Sequence, residues 1–85
     1  MKPWHIVSAL IPSFRRLRVD REQTYRLMMT ANWIPERAVV VLDAAERAAA
    51  GSTKSHEWWM TYTYDLVAEG YEPSVILAKL ERSGR

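Results

Sequence analysis

The chain has 85 residues, of which 48% are hydrophobic and 26% charged, with no cysteine and a formal net charge of +2. A chain of this length makes one domain with one modest core, burying about two-thirds of its unfolded surface, which leaves no room for a deep, multi-walled active site. The composition is globular rather than disordered, and the missing cysteines exclude disulfides and thiolate zinc sites and suit a reducing cytoplasm.

Prolines and glycines mark where helices start and stop. Pro3 fits the first turn of a short helix through Ile11, with Trp4, Val7, Leu10 and Ile11 on one face, and Pro12 ends it. The apolar run Ile6 to Ile11 is too short for a secretory h-region, and Arg15-Arg16 stand where a small-residue cleavage site belongs. It is also far short of the roughly 20 residues that span a bilayer. The chain therefore reads as untargeted and cytoplasmic. Residues 13–31 allow two readings. Asp20 caps a new helix, with Gln23 three residues on to complete a capping box, or one helix runs on from Ser13. Residues 21–31 are helical in both.

Pro35 opens the helix with the clearest period, Ala38, Val41, Leu42, Ala45, Ala48 and Ala49, and Gly51 stops it. Val39-Val40-Val41 favours a strand locally, but the alanine-rich continuation lacks the alternation a strand needs. After a loop in which Ser52, Thr53 and Ser55 are all candidate caps, a helix runs from His56 to about Glu69, and Gly70 terminates it. Pro73 starts the last helix, which carries Val75, Ile76, Leu77 and Leu80.

Two stretches share one grammar: Asn32-Trp33-Ile34-Pro35 and Gly70-Tyr71-Glu72-Pro73, 38 residues apart. Each opens with a residue that tolerates the left-handed conformation, follows with an aromatic placed to fold back on the helix just ended, and closes on a proline that starts the next. Either a duplicated helical hairpin or independent use of the same capping chemistry produces this pattern. Both imply two tight turns joining pairs of helices. The expected fold is all-α, a compact bundle of four to five short helices forming a single domain over residues 1–85. Its expected core includes Trp33, Val41, Leu42, Ala45, Trp59, Tyr62, Leu66, Ile76, Leu77 and Leu80.

Charge is uneven along the chain. The first 26 residues hold six bases, Lys2, Arg15, Arg16, Arg18, Arg21 and Arg26, against Asp20 and Glu22, a charge of +4; the rest holds six bases against eight acids, a charge of −2. Helical spacing pairs Arg16 with Asp20, Arg18 with Glu22 and Glu22 with Arg26, leaving Arg15 and Arg21 without a local partner. In the aromatic helix, Trp59, Tyr62, Thr63 and Leu66 share a face, while Trp58 and Tyr64 fall outside it as candidate anchors for a partner.

Catalytic chemistry finds no support. His5 and His56 lack a carboxylate, cysteine or second histidine at metal-ligand spacing, and there is no nucleophile elbow or glycine-rich phosphate loop. The expected function is therefore non-enzymatic, with no cofactor, no metal and no membrane association. The chain is expected to bind and regulate or inhibit a larger protein or nucleoprotein assembly by docking and occlusion, in the style of phage or mobile-element inhibitors. Arg15, Arg16, Arg18, Arg21, Trp58 and Tyr64 are its candidate contacts, the aromatics as anchors and the arginines pairing with acids, or taking the place of phosphates, on an acidic or nucleic-acid-binding partner surface. The rival is a DNA- or RNA-binding regulator using the same arginines on phosphates.

Overall fold

The computed structural model describes residues 19–83, which form four α-helices and no strand: α1 Arg21–Thr30, α2 Pro35–Ala50, α3 His56–Ala68 and α4 Pro73–Ser83. The described chain is thus all-α. The expected helix at Pro3–Ile11 and the candidate contacts Arg15, Arg16 and Arg18 lie outside the described residues.

Local chemistry sets each boundary. Asp20 is extended (φ −113°, ψ −177°), and its carboxylate accepts the Gln23 N–H at 2.9 Å, so α1 begins at Arg21. The alternative of one helix running unbroken from Ser13 fails at this residue. Of the three candidate caps before α3, Ser55 is used, its hydroxyl accepting the Trp58 N–H at 3.0 Å. Ser52 instead accepts the Lys54 N–H within the loop.

The two turns are one structure made twice. Asn32 (φ 67°) and Gly70 (φ 92°) both adopt the left-handed conformation. The Trp33 N–H bonds the Met28 carbonyl and the Tyr71 N–H bonds that of Leu66, at 3.0 and 3.3 Å. Asn32 bonds Met29 and Gly70 bonds Val67, each at 3.0 Å. These are the paired 6→1 and 5→2 bonds of a Schellman motif, which satisfy carbonyls that a helix end leaves orphaned. Beyond each turn, the Ile34 carbonyl accepts from Arg37 and Ala38 as that of Glu72 accepts from Val75 and Ile76. The equivalence ends at the aromatic. Trp33 folds back on the core as expected, whereas Tyr71 stays 39% exposed with the Lys79 ammonium 5.2 Å from its ring centroid.

α2 and α3 each pack on all three other helices, and α1 and α4 do not meet. The core therefore forms between the hairpins α1–α2 and α3–α4 rather than inside either. Met28, Leu42, Met60, Ile76 and Leu80 are its largest fully buried apolar side chains. Each contributes roughly 1.5–3 kcal/mol relative to exposure. Alanines at 38, 44, 45 and 48 complete the buried surface of α2, small enough for a helix with neighbours on three sides. Two hydroxyls are buried as well. Thr24 donates to the Asp20 carbonyl at 2.9 Å and Thr63 to that of Trp59 at 2.8 Å, so neither is left unpaired.

Most of the expected core is buried, with three exceptions: Trp33, Tyr62 and Leu77 are half-buried and pack against it from the side. Met60 and Val67, which were not expected there, are buried instead. The inward arc of α3 is centred on Thr63, about 50° round from the centre of the expected face of Trp59, Tyr62, Thr63 and Leu66.

Candidate docking surface

The outer face of α3 holds the candidate site. On an ideal helix Glu57, Trp58, Thr61, Tyr62, Asp65, Ala68 and the C-capping Glu69 fall within an arc of about 140°, and none of them is buried. Trp58 remains 42% exposed. Its ring is nevertheless held: Tyr62, one turn on, stacks on it at 5.4 Å between centroids and 14° between planes. Trp59 meets it edge-on at 5.0 Å, and the Lys54 ammonium lies 4.9 Å from its centroid. A large aromatic is thus presented to solvent in one orientation, at little further entropic cost on binding.

Tyr64 lies at the edge of this surface, about 20° beyond Glu57 and away from Trp58. It is half-buried and sits roughly 120° round the helix from Trp58, on the opposite flank of the buried arc. The companion of Trp58 is Tyr62, which the sequence reading assigned to the core. Their four-residue spacing, the ordinary distance for aromatic contact along a helix, was the signal available for it.

Arg21, expected to lack a local partner, finds two through the tertiary fold. Its guanidinium donates to Asp43 at 3.0 Å and to Glu46 at 3.2 Å, both on α2. Glu46 also meets the His56 ring at 2.6 Å, so one carboxylate ties the starts of α1 and α3 to the end of α2. The side chains involved are more than a third exposed, so each pair stabilises by about 1 kcal/mol at most. Arg26 pairs with Glu22 at 2.6 Å, as its spacing implies. Among the described residues, both Arg21 and Arg26 are therefore engaged inside the chain.

A second concavity of about 580 Å³ lies between the two turns, where Trp33, Arg37, Tyr71 and Glu72 are among its walls. Its single basic and single acidic side chain cancel, which leaves it without a charge preference. Among the described residues no three His, Asp or Glu side chains converge on a metal position, and no helix is long and apolar enough to cross a membrane. The indole N–H of Trp59 is buried without a hydrogen-bond partner among the described residues. No protein family, curated protein or solved structure matches this chain.

Proposed function

We propose that the chain is a non-enzymatic helical protein that binds a larger protein or nucleoprotein assembly and regulates or inhibits it by occlusion, with Trp58 as the anchor. The observation that supports this reading is the pre-set Trp58 ring, stacked on Tyr62 and open to solvent. Aromatic residues fixed before binding dominate the energetics of protein interfaces, and flanking contacts mainly exclude water. Arg15, Arg16 and Arg18 would supply the rim in this reading, and Arg21 is held by α2. The rival nucleic-acid reading loses one of its four arginines for the same reason.

Affinity capture with the full-length tagged chain tests the proposal. Wild type and an exposed control, Val40→Lys, should retain the same stoichiometric protein partner, and Trp58→Ala should lose it while keeping its helical circular dichroism. Equal capture by folded Trp58→Ala, or capture of nucleic acid alone, would sink the docking reading.

A further inference from the structure

We infer that the outer face of α3 docks on a basic protein surface, one that presents a guanidinium or ammonium group to the ring of Trp58. This rests on the docking reading above and supplies the chemistry of the partner.

Three observations carry it. From Ser55 to Ala78 the chain contains no lysine or arginine but four acids, Glu57, Asp65, Glu69 and Glu72. Three of these, Glu57, Asp65 and Glu69, share the exposed arc of α3 with Trp58 and Tyr62. Asp65 lies two turns from Trp58 and Glu69 two turns from Tyr62, so the aromatic pair is bordered by carboxylates on its own face. Second, the charge of the whole described body has the same sign: seven bases stand against ten acids over residues 19–83, giving −3. The full chain is +2, so an approaching basic surface is attracted locally, by the acids of this face and of residues 19–83, and not by the net charge of the molecule. Third, the Trp58 ring already receives a cation. Lys54, on the exposed loop before α3, places its ammonium 4.9 Å from the centroid. It occupies the position an incoming arginine or lysine would take, and its loop position lets it swing away when one arrives.

This reverses the electrostatic sense of the sequence reading, in which arginines of this chain met an acidic partner. On the α3 face the aromatic anchor belongs to the acidic side of the contact.

The test is titration of the isotope-labelled full-length chain with a short alternating Arg-Ala peptide, and with the matching Glu-Ala peptide, followed by amide and indole NMR shifts. The Arg peptide should move the Trp58 indole and the exposed residues of α3, with affinity falling as salt is raised. Trp58→Ala should weaken binding about tenfold. Asp65→Asn combined with Glu69→Gln should weaken it and flatten its salt dependence, and Lys54→Ala should strengthen it. The double carboxamide variant changes only exposed side chains, so it keeps the test decisive if Trp58→Ala fails to fold. Shifts centred away from α3, unchanged affinity in the double variant, or preference for the Glu peptide would each overturn the inference. So would a concentration-dependent dimer abolished by Trp58→Ala, since it would place a second copy of the chain on this face. A protein captured through Trp58 that presents an acidic surface would also overturn it, while leaving the docking reading standing.

Discussion

Replacing Gly70 with alanine isolates what the second turn demands of its backbone. Gly70 sits at φ 92°, and a Cβ built there meets nothing within 4 Å, so the substitution adds no clash. What remains is the intrinsic cost of a left-handed L-residue, roughly 1–2 kcal/mol, partly offset by the reduced freedom of alanine in the unfolded chain, about 0.4–1 kcal/mol. The net loss should be about 1 kcal/mol, which lowers Tm by about 4–8 °C in a domain of this size. Gly70→Asn should lose less, because the equivalent residue of the first turn, Asn32, already holds φ 67°. By the same logic Asn32→Gly should be close to neutral and Asn32→Ala destabilising. Urea and thermal unfolding followed by circular dichroism measure all four. If Gly70→Ala matched wild type, or Gly70→Asn cost as much as Gly70→Ala, the equivalence of the two turns would not hold energetically.

Leu42→Ala and Leu80→Ala each remove a fully buried side chain and should cost about 2–5 kcal/mol in chemical denaturation, enough to leave the domain marginal. Ser55→Ala deletes the cap of α3 and should cost about 1 kcal/mol by the same measurement. Neutralising Arg21 as Met should cost about 0.2–1 kcal/mol, shrinking in high salt, because its partners Asp43 and Glu46 are substantially exposed. Val39→Lys and Val40→Lys, on the solvent side of α2, should stay within about 0.5 kcal/mol of wild type.

The helices and both turns were legible in the sequence because capping is local. Proline at a first turn, serine or aspartate before it, and Asn or Gly after a helix each act within a few residues. The α1 boundary stayed open because Phe14, Leu17, Tyr25, Met28 and Met29 fit one helix with a stripe interrupted at Arg21 as well as they fit a new helix capped by Asp20. Only the extended backbone of Asp20 decides between the two. The face of α3 was misjudged by about 50°, since Met60 and Val67 are buried by packing from three other helices that no local period reports. Arg21 was harder still, its acids lying 22 and 25 residues away in sequence. That Trp58 lies outside the buried face of its helix was legible from spacing. Its stacking on Tyr62 and the placement of Tyr64 on the other flank depend on where the neighbours of α3 sit.

We propose the outer face of α3 as the place where this protein meets its partner. A photocrosslinking amino acid at Thr61, between Trp58 and Asp65 on that face, tests it in the cells that make the protein, with the same group at Val40 on α2 as the control. Position 61 should crosslink to one protein, at a lysine- or arginine-rich surface, and position 40 should give no crosslink. A crosslink from position 40 in place of 61 would contradict it.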